Sequence, residues 1–447
     1  MGPLSLRVGL LFMSVMGSVS AANTAIPFTP GFDIDKVAAL AESLPSKSWE
    51  YGTAAEALLE LYNPELSVFG ANPFPVAAQT TSSVKALAFA AKKIIIGSTG
   101  LSNGDGSTGD PASLGVSAVM LGKTDKKFAD AAAVQVAYLV DSAPRFSNGA
   151  ISHRANKAVL WADFMYMAPP SLAFFAADKG DMDLLRDTYK QCGLYRDILQ
   201  SKGQGLWKHI VGPEAADAGH WSTGNAWAAG GMARVLATIM RAPAAQDAPW
   251  RDQAINDLST WIKEILDAVM GSSLDNGLVR NYVDDTNEDH GFGEIAGSAL
   301  LAGVAYRMAA LQPATFGASY ITWADAIRKQ LGSGGHVKDS GVVSPAVNPY
   351  GWWFTQKYTT GSPEGQAMVV LMYAAWRDCV NGGTCQQQTA PTTQFKQSSL
   401  QPSETKIPNT RCKGGSASRA ARRAQHARRT HLEAQRRHHI RQMKDTL

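Results

Sequence analysis

The body of this chain, from Asp35 to about Cys379, predicts an all-α fold: a toroid of six helical hairpins, an (α/α)6 barrel. Apolar residues recur there at three- and four-residue spacing, which is the period of a helix with one buried face. About twelve such segments follow one another between Gly, Pro and Asn clusters, and most are too long for strands. Twelve helices joined by loops of mixed length suit a toroid better than a simple bundle. An irregular solenoid would need a fixed repeat period, and none is present.

Taken in order, the helical segments fall near 36–44, 53–62, 82–95, 112–122, 125–141, 156–178, 181–200, 224–241, 247–270, 293–310, 315–331 and 362–378, and the run Leu278 to Val283 reads as a short strand. The Gly-rich and aromatic connections carry the unusual residues: Ser102 to Asp110, Phe146 to Arg154, Gly203 to Trp227 and Ser272 to Glu294. In a toroid, loops at one end line a cleft, and binding residues are commonly placed on such loops.

Three divisions of the chain are expected: a signal peptide at 1–21, a folded domain at 22–385, and a linker with a basic tail at 386–447. The N-terminus runs from Arg7 through the apolar stretch Val8 to Val19 and into Val19-Ser20-Ala21, the order of a secretory signal cleaved after Ala21. No later stretch reaches the ~20 apolar residues that span a bilayer, so the mature protein is expected to be extracellular. The four cysteines fit an oxidising compartment, and Cys379 and Cys385 are spaced to close a small loop. Cys192 and Cys412 could pair or stay free. No Asn-x-Ser/Thr acceptor occurs.

The net charge of +4 conceals an asymmetry, because residues 413–447 hold ten Lys/Arg against Glu433 and Asp445, leaving a net negative remainder. That tail could contact an anionic polysaccharide, although exposed basic tails are more often simply solvated. Gln386 to Pro408 is rich in Gln, Thr, Ser and Pro, the composition of a linker.

Within the segment Lys157 to Pro170, Asp163 is the one acidic residue in an apolar, aromatic run. A buried carboxyl must be hydrogen-bonded, paired or protonated, and an apolar pocket that raises its pKa makes a general acid. Asp110-Pro111 reads either as a helix cap followed by Pro at the first helical position or as a second functional carboxyl. Trp221 and Trp227 flank Gly224 and Asn225, with Trp207 nearby, and such rings can form a platform for sugars; core packing is the alternative. Asn225 either caps its helix or faces a ligand. The acidic cluster Asp284 to Asp289 lacks EF-hand spacing, and there is no Cys-x-x-Cys or His-Glu-x-x-His, so no metal is expected. Phosphate-loop, Ser-His-Asp elbow and nucleotide-binding Gly signatures are absent.

Four features then stand in a fixed order: Gly109-Asp110-Pro111-Ala112-Ser113-Leu114-Gly115; Pro144-Arg145 with Gly149-Ala150-Ile151-Ser152-His153; Trp161-Ala162-Asp163 with Tyr166-Met167-Ala168-Pro169; and Gly205-Leu206-Trp207-Lys208-His209 followed by His220-Trp221-Ser222-Thr223-Gly224-Asn225-Ala226-Trp227. Gly293-Glu294-Ile295-Ala296-Gly297-Ser298-Ala299 and Gly361-Ser362-Pro363-Glu364-Gly365-Gln366 continue the series. This order resembles the unsaturated rhamnogalacturonyl and glucuronyl hydrolases, glycoside hydrolase families 105 and 88 in the six-hairpin glycosidase superfamily. The resemblance implies an (α/α)6 barrel that releases a 4,5-unsaturated uronic acid from the non-reducing end of lyase products, such as pectin (rhamnogalacturonan) fragments, by hydrating a vinyl ether. It implies Asp163 as general acid and then base, Asp110 as the assisting carboxyl, and His153, His209, Trp221, Asn225, Trp227 and Glu294 at the substrate. An oligosaccharide is the expected partner; no cofactor, nucleic acid or membrane partner is expected. One departure stands out: Thr223 occupies the place of a family Arg, and a hydroxyl cannot reproduce a bidentate guanidinium grip. Two other readings remain at this stage, another (α/α)6 hydrolase such as an α-mannanase and a catalytically silent sugar-binding protein.

Overall fold

A computed structural model describes residues 29–98, 100–213, 216–287, 290–351 and 357–385. The segments expected to be a signal sequence, a linker and a basic tail, and Cys412, lie outside the described residues. The helices are α1 (Ile34–Ser43), α2 (Ser48–Tyr62), α3 (Lys85–Lys93), α4 (Gly115–Leu121), α5 (Lys126–Ala137), α6 (Phe164–Met167), α7 (Pro169–Lys179), α8 (Met182–Leu199), α9 (Ser222–Arg241), α10 (Arg251–Met270), α11 (Ile295–Leu311), α12 (Ala318–Ser333) and α13 (Pro363–Asn381). None of them is both long and apolar enough to cross a membrane. Helices α6 and α7 are separated by Ala168 alone and form one bent element, which leaves six hairpins. Pro169 and Pro170 cause the bend, since Pro starts a helix well but disfavours helical geometry in the residue before it.

The hairpins alternate between two rings. Helices α2, α4, α6–α7, α9, α11 and α13 each pack on the next, and α13 returns to α2, so the inner ring closes. Helices α1, α3, α5, α8, α10 and α12 pack outside them. Sequence explains the sorting. On α9 every residue from Ser222 to Ile239 is buried, as is every residue of α11 from Ile295 to Ala309, as expected for helices enclosed on all sides. Outer α10 buries only one stripe, Ala254, Leu258, Ile262, Ile265, Leu266 and Val269, and turns Asp252 and Lys263 away from it. Small residues allow the inner helices to approach: a Cβ at Gly231 of α9 would sit 1.9 Å from the Met165 carbonyl oxygen of α6.

The expected helix at 156–178 is corrected by the structure. Its first part forms β1 (Leu160–Trp161), which pairs antiparallel with β2 (Ile210–Val211), Trp161 opposite Ile210. Asp163 thus lies between a strand and a short helix, not inside a long one. The strand run 278–283 contracts to β4 (Leu278–Val279), which pairs with β3 (Leu274–Asp275). The pairing of Cys379 with Cys385 is present, Cα to Cα 5.2 Å, and Cys192 is buried with a free thiol.

Towards the C-terminal ends of the inner helices, a buried ionic network joins α2, α9, α11 and α13. Arg234 reaches Glu56 at 2.7 Å and also bonds Glu60; Arg307 reaches Glu60 and Asp378, each at 2.7 Å. Arg377 donates to the Glu60 and Leu61 carbonyls at 2.6 Å. The guanidinium of Arg307 lies over the Phe69 ring at 4.4 Å, and Arg234 at 5.4 Å from the same ring. A network of this kind matters chiefly through what breaking it exposes, a buried carboxylate with no counter-charge. Arg234→Met is therefore expected to cost about 3–5 kcal/mol in urea unfolding, because it strands Glu56 and half of Glu60. A loss under about 1 kcal/mol, the range of a surface pair, would show that the network does not hold the ring.

Candidate active site

At the opposite end of the ring, the inner helices start together, and several place a carboxyl in or just before the first turn: Glu50 on α2, Asp110 in the 3-10 turn leading into α4, Asp163 before α6, Glu294 before α11 and Glu364 on α13. Helix starts favour negative charge, which accounts for residues of this type here. Helix α9 begins with Thr223 in the corresponding turn.

Asp163 is aimed by the β1–β2 ladder. The Ala162 amide donates to the His209 carbonyl at 2.9 Å, which fixes the two following side chains against each other. Asp163 Oδ2 lies 3.3 Å from His209 Nε2. The other ring nitrogen, Nδ1, lies 3.0 Å from Asp217 Oδ2, and Asp217 in turn accepts from the Tyr282 hydroxyl at 2.6 Å and the Gly219 amide at 2.9 Å. Burial opposes a charge on His209, but Asp163 and Asp217 outweigh it and hold its pKa above the ordinary imidazole value. Burial likewise disfavours an ionised Asp217, yet the His209, Tyr282 and Gly219 donors keep it below the usual carboxylate range.

Asp110 faces this pair from the next helix. Gly109 is the cap and Asp110 the first residue of the turn, so the cap reading is set aside; its amide donates to Ser107 Oγ at 3.1 Å, and its Oδ1 lies 4.0 Å from His153 Nε2. Burial, reinforced by the charge of Asp163, pushes the Asp110 carboxyl up to about 7. His153 goes the other way: burial lowers it to about 3 against the attraction of Asp163, so it is a neutral imidazole. Its ring stacks on Trp161 at 4.8 Å with Phe164 at its edge, and the Trp161 edge meets His209 at 5.6 Å. The site therefore combines a carboxyl raised by burial, Asp110, with a second carboxyl, Asp163, an imidazole whose protonated form is favoured, His209, and a neutral imidazole, His153.

The structure brings together Asp110, His153, Asp163 and His209. The remaining candidates are placed differently. Trp227 has no exposed surface and packs on Tyr166 at 4.6 Å, so it is core and not a sugar platform. Trp221 is 2% exposed; its face meets the His209 ring at 4.5 Å and its indole N–H donates to Asn281, making it a wall behind His209 and not a platform. Asn225 is fully buried and spends its amide on the Trp207 amide and carbonyl and the Trp221 carbonyl, which ties the preceding loop to α9. Glu294 is the N-cap of α11, bonded to the amides of Ala296, Gly297 and Val347 and to the Thr223 hydroxyl. Its carboxyl is fully engaged in structure. Among the described residues no group of three or more His, Cys, Asp or Glu side chains suits a metal. In the acidic loop, Asp284 and Asp285 pair with His220 and His290 at 2.8 Å each.

Sequence reasoning missed Asp217 and Tyr282. Asp217 sits in the polar run Glu214-Ala215-Ala216-Asp217-Ala218-Gly219, and nothing in that run marks it off from a solvated turn. Only the bridge between Ile210 and Asp217 folds it back onto His209.

A closed six-hairpin ring whose helix starts bring carboxyls together at one end has the architecture of the six-hairpin glycosidases. The chain belongs to Glycosyl Hydrolase Family 88, whose profile matches residues 114–373. Over 124 residues it is 29% identical to the unsaturated rhamnogalacturonyl hydrolase YesR of Bacillus subtilis (strain 168), covering 26% of this chain and 36% of that protein. The chain thus matches about a third of the length of this curated relative. Its fold is similar to that of a possible member of the GH105 family from Salmonella enterica, with a TM-score of 0.60 and 17% identity over 77% of this chain and 92% of that one. It is also similar to a glycosyl hydrolase family 88 structure from Bacteroides vulgatus, with a TM-score of 0.57 and 14% identity over 77% and 97%.

The raised Asp110 carboxyl has a consequence for stability. Its folded value, about 7, lies above the unfolded value near 3.8, so the native state binds the extra proton and stability falls as pH rises between those two values. Asp110→Asn removes this dependence. The variant is expected to be more stable than wild type above pH ~7, by on the order of a few kcal/mol, with the advantage fading towards pH ~4. Thermal melts of both proteins across that range check it, and parallel curves would contradict it.

Proposed function

We propose that this protein hydrates the C4=C5 double bond of a 4,5-unsaturated uronic acid at the non-reducing end of lyase-generated oligosaccharides, with pectin (rhamnogalacturonan) fragments as the first substrate class to try. The observation that carries the reading is the Asp163 carboxyl held 3.3 Å from His209 beside a second, proton-retaining carboxyl, Asp110. Such a group can deliver a proton to C4 and then take one from the water that adds at C5. The hemiketal formed at C5 opens the ring and releases the remaining oligosaccharide. No covalent glycosyl intermediate is required, in contrast to a retaining glycosidase. Membership of family 88 and the name of the Bacillus relative support the same chemistry.

Thr223, with its hydroxyl bonded to Glu294 at 3.1 Å and no exposed surface, leaves the uronate carboxylate without a guanidinium at that position. Arg154 is assigned this task. It follows His153, its charge acts on both Asp110 and His153, and its Nη2 donates to the Asp105 carbonyl at 2.8 Å, which anchors the side chain. Secretion after cleavage at Ala21, and contact of the basic tail with anionic polysaccharide, complete the reading.

The test is loss of the ultraviolet absorbance of the conjugated double bond when the protein is incubated with lyase products of pectin and of glycosaminoglycans. Wild type is expected to turn over at least one set, and Asp163→Asn to be slower by roughly 10²–10⁴-fold, the usual contribution of a positioned acid–base group. Arg154→Ala is expected to raise KM about 10–100-fold, as removal of a charge-assisted contact does. Wild type inert towards every oligosaccharide, yet binding one by calorimetry, would replace this reading with a silent sugar-binding protein.

A further inference from the structure

We infer that Asp217 is a positioning residue: through its bond to His209 it holds the proton that the Asp163–His209 pair shares, and so sets the upper pH limit of the reaction. The inference rests on the proposed hydration chemistry for its kinetic consequence, but its structural premise can be read without turnover.

The argument starts with the backbone. His209 and Asp217 lie on the two arms of one hairpin: the His209 amide donates to the Gly219 carbonyl at 3.0 Å, while Ile210 and Asp217 exchange amide bonds at 2.9 and 3.0 Å. This register places the Asp217 carboxylate on Nδ1 of the ring before any ligand enters. With Nδ1 donating to Asp217, the second nitrogen, Nε2, is left directed at Asp163. His209 has no exposed surface, so a charge on it is stable only if carboxylates compensate it. Asp217 is suited to that purpose, because Tyr282 and Gly219 also donate to it.

The groups acting on His209 come from four elements. Asp163 faces it from the start of α6 and Asp217 from its own hairpin, both favouring the proton; His153 acts from the loop before β1, and Tyr282 through Asp217 from the loop after β4. The rings of Trp161 and Trp221 exclude water from the remaining sides. Asp163 in turn lies within electrostatic range of Asp110, Tyr195, Tyr282 and Glu364. The proton on His209 is therefore held between two carboxylates, Asp163 at Nε2 and Asp217 at Nδ1. Removing the negative charge of Asp217 weakens the hold on that proton, so the pair loses it at lower pH. The acid form that protonates C4 is then depleted sooner as pH rises.

Two measurements on the full-length protein test this: the pH profile of kcat/KM, and the titration of the His209 imidazole by NMR. In Asp217→Asn the basic limb and the His209 midpoint are both expected to move down by about 1–2 pH units, the effect of removing an opposite charge at contact distance. Asp217→Glu, which keeps the charge, is expected to return both most of the way to wild type. Tyr282→Phe, which removes a tie without removing charge, separates loop disorder from electrostatics and is expected to move either value by less than about half a unit, since the ion pair remains. An Asp217→Asn protein with the wild-type midpoint and limb overturns the inference, as does Tyr282→Phe shifting both as far as Asp217→Asn does. If wild type turns over nothing, the hydration reading fails, and the NMR midpoints of the same variants still decide whether Asp217 holds the proton.

Discussion

Closure of the inner ring is the constraint on which everything else depends. Each inner helix must be buried on all faces, which is why α9 and α11 are apolar around their circumference and why glycines such as Gly231 meet a neighbouring backbone directly. Because the hairpins alternate outer and inner helices, every inner helix points the same way along the ring. All its N-termini therefore gather at one end and all its C-termini at the other. The polar residues follow that division: carboxyls at the helix starts, and the Arg234, Arg307 and Arg377 network with Glu56, Glu60 and Asp378 towards the helix ends.

The two ends treat charge in opposite ways. Near the C-terminal ends, every acidic group of the network has an arginine partner, and the network serves as a strut. At the N-terminal end the carboxyls outnumber the cations. Glu294 is absorbed by backbone amides, while Glu364, bonded to the Trp49 indole at 2.8 Å, is driven well above the ordinary range by burial and by the charge of Glu50. Asp110 and Asp163 act on each other, with His209 beside Asp163 and the charge of Arg154 acting on Asp110. Burial, with the charge of Asp163 beside it, raises the Asp110 carboxyl.

The short β1–β2 ladder has an influence out of proportion to its length. Two residues on each strand set the distance between Asp163 and His209, and the same stretch of chain carries Trp161, which separates His209 from His153. Two imidazoles within one small site are thus shifted in opposite directions: burial lowers His153, while Asp163 and Asp217 together raise His209. Substitution of Thr for the expected Arg at position 223 is accommodated in the wall: the hydroxyl completes the hydrogen bonding of the Glu294 cap.

The helical period alone determined that this chain is all-α with twelve principal helices, because a buried face repeats every three to four residues and Gly and Pro interrupt it. The Cys379–Cys385 loop was legible for the same local reason, short separation. Asp163 could be picked out, since a polar group in apolar surroundings demands an explanation even in one dimension, whereas Asp110, His153 and His209 were marked by the resemblance of their motifs to a known family. What the sequence could not show was which surface each side chain meets. Trp221, Trp227, Asn225 and Glu294 occur among the same motifs, yet the closed ring turns them into core, wall and caps. The strand inside the supposed helix at 156–178, and the return of Asp217 onto His209, arise from pairing between segments about fifty and eight residues apart. Hydrogen bonds between distant or irregular segments leave no period in the sequence, so tertiary structure alone decided which carboxylate would meet the His209 ring.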